Sequence, residues 1–317
     1  MKVLFLDRVH PILEQRLTAN GYQCIEGSNT PLYDLKEEIS QANGIVVRSR
    51  LSLNQDFLKN ALHLQFIARS GAGMETIDEA YCHENGILLF NAPEGNRTAV
   101  AEHALGMLLA LFNNLPKGDS EVRKGVWDRE GNRGIEITGK TIGIIGYGNN
   151  GRQFAQVLSG FDCEILAHDK YISGFGTERV KEVDMAEIYE KADIISFHIP
   201  QTEETIFYGS ASFFNHFKKP IYLINLSRGK VVRLSDLADA IDSNIVLGAC
   251  LDVLEMENKT FETAVQSHTL PPEIKRLLVS EKVLFSPHVG GWTMESYFKL
   301  SDVLADKIIA QFGEISN

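Results

Sequence analysis

Short apolar runs separated by helix-like segments recur along almost the whole chain, and that alternation admits few folds. KVLFL (2–6) leads into a helical pattern from Pro11 to Ala19, which stops at the C-cap pair Asn20-Gly21. YQCIE (22–26), GIVV (44–47), LQFIAR (64–69) and ILLF (87–90) follow, most with helical patterns between them. Strands spaced by helices in this way imply β-α-β units and a parallel sheet. A second series runs TIGII (141–145), CEILAH (163–168), DIISFH (193–198), IYLIN (221–225), VLGACL (246–251) and VLF (283–285). Between the two series, Thr98 to Leu115 reads as a long helix, apolar on all sides and therefore buried. Residues 117–134 read as a polar stretch rich in Gly and Arg. The expected class is α/β, with two Rossmann-like doubly wound parallel-sheet domains and a cleft between them. The final helical pattern, from Met294 to Phe312, has no strand of its own and is assigned back to the first domain. The expected boundaries are 1–97 with 294–317 for one domain and 98–293 for the other.

Bulk properties narrow the function classes. The 317 residues suit two domains, and 44% hydrophobic with 23% charged residues is ordinary for a soluble chain. A net charge of −11 argues against a nucleic-acid partner, which needs a dense basic surface. Cys24, Cys82, Cys163 and Cys250 lie far apart without a C-x-x-C pair, so neither a disulfide framework nor a metal site is expected. The apolar run Val3 to Leu6 is cut by Asp7 and Arg8, too early for a signal peptide. The longest apolar stretch, Ala104 to Phe112, is about half a membrane span. No membrane partner and a cytoplasmic location are expected.

The sharpest local motif is TIGIIGYGNNG, where a strand runs into Gly146-x-Gly148-x-x-Gly151 and a helical pattern begins at once. Gly146 permits a tight turn, Gly148 lets backbone approach a pyrophosphate, and Gly151 allows close helix–strand packing. The N–H groups opening the helix, those of Asn149 and Asn150 among them, suit phosphate oxygens. A bare G-x-G-x-x-G is weak, but Asp169 ends the next strand eighteen residues past Gly151. A carboxylate there accepts from ribose hydroxyls and repels a 2′-phosphate, which favours NAD over NADP.

Three further segments place chemistry just past strand ends: Arg228 in NLSRGKVV, Asp252 with Glu257 in LGACLDVLEMEN, and His288 in FSPHVGGWT. Open α/β sheets bind ligands at the carboxyl ends of their strands. Oxidising a secondary alcohol needs a base for the hydroxyl proton, and an imidazole serves both directions. A carboxylate beside it orients the ring and favours its protonated form. An arginine fork suits a substrate carboxylate. Each residue alone has a plainer explanation as a structural histidine or a surface ion pair. Their combination with a cofactor motif is what points to catalysis.

At this point the chain resembles the D-isomer-specific 2-hydroxyacid dehydrogenases, and within them the D-3-phosphoglycerate dehydrogenase branch. The resemblance runs through VVRSR (46–50), ARSGAGMETID (68–78), NAPEGNRTAVAEHALGMLLAL (91–111), the Trp127 segment, GKTIGIIGYGNNG (139–151), ADIISFHIP (192–200), INLSRGKVV (224–232), GACLDVLE (248–255) and SPHVGGWTMES (286–296). It implies that Arg228 binds and orients the substrate, Glu257 pairs with the imidazole, and His288 is the general acid/base. It implies that Tyr147, His198, Pro200, Thr205, Leu226, Ser227, Arg228, Asp252, His288 and Gly290 join the glycine turn in lining the NAD site. It also implies a substrate carboxylate site from Arg48, Ser49, Arg50, Ser70, Gly71, Ala72 and Gly73, and a homodimer through the cofactor domains. Three departures stand out. Residues 259–278 look extended, so Glu255 or Glu262 competes with Glu257; Trp292 stands where the family has a small residue; and Asn150 replaces an aliphatic one.

Arg48 and Arg50, with Arg97 as a further candidate, suit a phosphorylated hydroxy acid, which needs cations besides the one gripping its carboxylate. The leading expectation is thus a D-3-phosphoglycerate dehydrogenase-like enzyme at the entry to serine synthesis. Because the chain ends at Asn317, no appended regulatory domain is expected. The alternatives are a reductase of glyoxylate, hydroxypyruvate or another 2-keto acid, and a non-catalytic, NAD-sensing, corepressor-like protein.

Overall fold

The computed structural model describes residues 1–257 and 270–315. They fall into two compact units, residues 1–97 with 292–315 and residues 98–257 with 270–291.

The first unit begins with β1 (Lys2–Phe5), α1 (Ile12–Ala19), β2 (Gln23–Glu26), α2 (Lys36–Gln41) and β3 (Gly44–Val47). It continues through α3 (Gln55–Leu58), β4 (Phe66–Arg69), α4 (Glu79–Glu84) and β5 (Leu88–Phe90). The strands form one sheet in the order β2-β1-β3-β4-β5, with every pairing parallel. Alternate side chains enter opposite cores: Leu4, Leu6, Ile45, Val47 and Ile67 on one face, Val3, Phe5, Val46, Phe66 and Ala68 on the other. A sheet buried on both faces needs strands that are apolar at every position, which is why GIVV is fully buried.

α5 (Pro93–Phe112) leads into the second unit, which holds α6 (Leu115–Arg123), β6 (Thr141–Ile145), α7 (Asn149–Val157), β7 (Glu164–His168) and β8 (Val180–Glu182). α8 (Met185–Lys191), β9 (Ile194–Phe197), α9 (Ala211–Phe214), β10 (Ile221–Asn225), α10 (Leu234–Asp242), β11 (Val246–Leu251), α11 (Pro272–Val279) and β12 (Val283–Phe285) complete it. Its seven strands run β12-β11-β10-β9-β6-β7-β8, again all parallel. Ile145, Phe197, Leu223 and Leu251 pack on one face, and Ile144, Ile165, Ile224 and Cys250 on the other. Fully buried side chains such as Phe154 and Phe197 each contribute about 1.5–3 kcal/mol. The α/β class of two parallel sheets is therefore the one the sequence predicts.

α12 (Met294–Phe312) belongs to the first unit. A capping box opens it: the Thr293 side chain accepts from Ser296 N, and Ser296 Oγ accepts from Thr293 N. Leu300, Leu304, Ala305 and Ile308 enter the core beside α1, while Arg16 bridges to Asp302 and Asp306.

Three local expectations need correction. The long helix starts at Pro93 rather than Thr98, since proline at a first helical position needs no N–H partner. It ends at Phe112 rather than Leu115, and Asn114 then takes a left-handed conformation (φ 51°) before the separate helix α6, which runs on into the stretch read as polar. β8, of three residues with two exposed, pairs at the sheet edge where the sequence predicts no strand. Among the described residues, no helix is long and apolar enough to cross a membrane.

Candidate active site

In the second unit, three adjacent parallel strands end in polar residues. Arg228 follows β10, Asp252 follows β11, and His288 follows β12. His288 Nδ1 lies 2.7 Å from Glu257 Oε2, and Glu257 Oε1 accepts from Leu254 N at 2.6 Å. The carboxylate is thereby fixed from both sides, and pairing at Nδ1 leaves proton exchange to Nε2. Of the competing acids, Glu255 is used elsewhere, accepting the N–H of Leu234 that opens α10 at 2.8 Å. Glu262 lies outside the described residues.

Asp252 is 2% exposed and organises the loop that carries the histidine. Its Oδ1 accepts from Ser286 Oγ at 2.6 Å and Val289 N at 2.9 Å, and its Oδ2 from Gly290 N at 2.8 Å. The backbone oxygen of Asp252 accepts from His288 N at 2.8 Å. A side chain at Gly290 would collide with this carboxylate, its Cβ 2.9 Å from Oδ2. The latch holds His288 at φ 54°, a left-handed conformation that non-glycine residues seldom adopt and that costs about 1–3 kcal/mol. His103 joins from α5, its Nε2 2.9 Å from Ser286 Oγ and 3.7 Å from Asp252 Oδ1. Neither His103 nor Ser286 is singled out by the sequence reading; their link to Asp252 spans well over a hundred residues in one case.

Arg228 stands in an ordered turn. Asn225 Oδ1 accepts from Ser227 N and Oγ, Asn225 Nδ2 donates to Arg228 O, and Arg228 Nη1 donates to Ser227 O at 2.7 Å. Gly229 is required there, because a Cβ would stand 1.8 Å from Leu254 O. Leu226 is buried beside the turn.

The glycine turn joins β6 to α7. A Cβ on Gly151 would sit 2.0 Å from Gly146 O, whereas one on Gly148 would meet nothing within 4 Å. Gly148 is the N-cap and contributes no side-chain acceptor, so the opening N–H groups of α7 at Asn149 and Asn150 have no side-chain cap. This open approach over uncapped donors fits a pyrophosphate. Arg152, also missed in the sequence, donates from Nε to Tyr147 O at 3.0 Å, while Tyr147 stacks on Phe175.

Asp169 follows β7 and accepts backbone N–H bonds from Tyr147 at 2.7 Å, Tyr171 at 2.9 Å and Ile172 at 3.0 Å. Burial alone would raise its pKa, but these donors outweigh burial and hold the carboxyl below the ordinary range. Asp169, Tyr171, Ser173 and Asp184 border a cavity of 400 Å³. Lys170 is drawn to Glu204. Past β9, burial pushes the His198 imidazole down to about 4, so it is neutral at physiological pH. The His198 ring packs on Phe154, and Nε2 lies 2.8 Å from Ser196 Oγ. Thr205 Oγ1 closes the following loop on Pro200 O at 2.7 Å.

In the first unit, the loops after β3 and β4 carry Arg48, Ser49 and Arg50, and Ser70, Gly71, Ala72 and Gly73. Buried Asp7, past β1, accepts from Arg48 N at 2.6 Å and from Arg50 Nε at 3.1 Å. Arg50 Nη2 also donates to Leu6 O. Arg69 Nε donates to Arg48 O, and its guanidinium lies where a Gly71 Cβ would stand.

Residues 105–290 match the family described as D-isomer specific 2-hydroxyacid dehydrogenase, NAD binding domain. D-3-phosphoglycerate dehydrogenase of Archaeoglobus fulgidus is 30% identical over 311 residues, covering 98% of this chain and 57% of that protein. The enzyme of that name from Rattus norvegicus is 30% identical over 313 residues, covering 97% and 56%. The chain thus spans little more than half the length of these relatives. Among solved structures, a D-lactate dehydrogenase from Treponema pallidum superposes with a TM-score of 0.83 at 24% identity, covering 99% of this chain and 98% of that one. A D-2-hydroxyisocaproate dehydrogenase gives 0.83 at 22%, covering 100% and 99%. At such identities the structural likeness speaks for the fold alone.

Proposed function

The chain belongs to the D-isomer specific 2-hydroxyacid dehydrogenase family, and from that premise we propose that it interconverts a D-2-hydroxy acid and its 2-keto acid with NAD. The observation that carries the reading is the His288–Glu257 pair, 2.7 Å apart, on a loop latched by Asp252. NAD would be held by the turn Gly146–Gly151, with Asp169 toward its adenosine ribose. The chemistry it supplies when bound is two-electron oxidation at the carbon bearing the hydroxyl. His288 takes the hydroxyl proton in one direction and returns it in the other. Glu257 holds the ring in one tautomer and steadies the imidazolium. Arg228 grips the substrate carboxylate through its planar fork. Asp252 acts by holding the His288 loop in place.

We assign the substrate-binding role to the discontinuous domain of residues 1–97 and 294–317, and NAD binding to residues 98–293. A homodimer through the NAD-binding domains is favoured by the exposed apolar side chains Leu115, Val122, Val126 and Trp127 in the second unit.

A phosphorylated substrate such as D-3-phosphoglycerate heads the candidates, on the names of the two relatives. An unphosphorylated 2-keto acid is the second reading, and one observation favours it: Arg50 is already engaged by Asp7 and Leu6 O, which leaves fewer cations for a phosphate. A corepressor-like role needs no acid/base, and the His288–Glu257 pair speaks against it. The deciding assay follows loss of NADH absorbance with 3-phosphohydroxypyruvate, hydroxypyruvate, glyoxylate and pyruvate. Preference for the first supports the phosphoglycerate reading, and preference for another supports the second. Tight NADH binding without turnover of any of them would return the protein to the binding class.

A further inference from the structure

The Arg48 guanidinium carbon lies 4.2 Å from the centre of the Trp292 ring and 5.6 Å from that of Tyr297, all three residues in the first unit. Among the described residues this guanidinium makes no hydrogen bond and no ion pair. Burial draws its pKa down from the ordinary arginine value, with the charges of Tyr297 and Asp7 opposing. The carboxylate facing the loop is already spent: Asp7 pairs with Arg50 and receives the backbone N–H groups of Arg48 and Arg50. The Asp7 oxygens are thus taken by Arg50 and two backbone donors, and neither accepts from the Arg48 guanidinium.

A second orphan lies on the neighbouring strand. β3 and β4 pair with Val47 opposite Arg69, so Arg48 and Ser70 are the first residues past the same rung. Ser70 is 2% exposed, and its Oγ has no partner among the described residues. An unsatisfied buried hydroxyl costs free energy that an oxyanion would recover, and the same oxyanion would give the guanidinium charge-assisted hydrogen bonds. The aromatic wall adds direction, since a cation over an indole face gains electrostatic energy and loses rotational freedom. Trp292 is itself 64% exposed, so packing does not account for an indole there.

We propose that Trp292 is a positioning residue, stacking on Arg48 so that the guanidinium fork and the Ser70 hydroxyl take one oxyanion of the substrate. The inference deepens the dehydrogenase reading, on which the identity of the substrate rests. The oxyanion is a carboxylate or a phosphate; both offer paired oxygens to the fork. Arg50 takes no part.

Full-length protein and its Trp292→Ala, Trp292→Phe and Arg48→Ala variants are assayed with 3-phosphohydroxypyruvate and hydroxypyruvate, which differ by one phosphate. Trp292→Ala raises KM roughly three- to thirty-fold with kcat changed less than about twofold, and Trp292→Phe restores most of the loss. A rise for both acids identifies the shared carboxylate as the bound group; a rise confined to the first identifies the phosphate. An unchanged KM for both acids, or a fall in kcat alone, overturns the proposal. A binding measurement keeps the test independent of turnover. In a Trp127→Phe background Trp292 is the one remaining indole, and its fluorescence is titrated with inorganic phosphate and with acetate. A saturable change lost in Arg48→Ala supports the site even if no keto acid is reduced, in which case only the dehydrogenase reading fails. No change with either anion, or one that survives Arg48→Ala, overturns the site itself.

Discussion

Past the strands of the second sheet, Asp252 accepts from Ser286, Val289 and Gly290, Glu257 holds His288, and Asn225 ties Ser227 to Arg228. Past the strands of the first, Asp7 takes up Arg50, but Arg48 and Ser70 keep polar groups that no described residue satisfies. Both regions sit at the carboxyl ends of parallel strands, so the fold does not account for the difference. A group that must exchange a proton at a fixed point gains from being locked before the substrate arrives. A group that must recognise an anion gains from having its donors unspent. On the proposed function the two sheet ends divide along that line, one for chemistry and the other for recognition.

Variants can break the comparison. Replacing His288 by alanine is expected to have the largest effect, lowering kcat roughly 10²–10⁴-fold with NADH affinity little changed; full activity would remove it as the acid/base. Next comes Asp252→Asn, which sets an amide N–H₂ among donors that now meet carboxylate oxygens. Misdirected donors cost about 1–3 kcal/mol, visible in the denaturant midpoint, and kcat should fall with KM for the acid nearly constant. If KM rose instead, Asp252 would belong to recognition and the division would blur. Asp169→Ala should weaken NADH more than NADPH and narrow their ratio by roughly tenfold, about one pairing of 1.4 kcal/mol. The Asp169 carboxyl is held below its ordinary range, so its contribution is present above that range and lost only as pH falls through the depressed value. Cofactor KM in the intact protein should therefore stay flat from neutral pH down to the ordinary carboxylate range. The smallest effect is expected for Arg50→Ala. Arg50 is half exposed, and buried Asp7 keeps the backbone N–H groups at 48 and 50 in the variant, so KM for either acid should barely move. A large rise in KM would make Arg50 a ligand after all.

How much of this was legible beforehand depended on whether the signal was local. Strands such as 44–47, 141–145, 221–225 and 246–251 are apolar at successive positions because both faces are buried, and their limits can be read directly. α6 was hidden because Leu115–Arg123 buries no residue and so lacks an apolar stripe facing a core. The start of α5 was obscured by Pro93, which reads as a break unless the first helical turn is in view. At the candidate site, the glycine turn and the strand-end positions of Arg228, Asp252 and His288 are local features. His103 is not, since its partners Ser286 and Asp252 are far along the chain. Trp292 stood out as a departure from the family's small residue, but nothing local to it names Arg48 as the side chain it covers.

The left-handed backbone at residue 288 restricts what could ever replace the histidine. Asparagine, aspartate and glycine enter that conformation readily, whereas valine, isoleucine and threonine resist it. A drift toward inactivity by way of asparagine would leave the loop and the cofactor turn standing, whereas a β-branched substitute would disturb the loop as well as the chemistry. With His288 as the proposed acid/base, one polar substitution would leave an inert binding protein on this scaffold, and His288→Asn rather than His288→Val is the control in which lost turnover and lost architecture come apart.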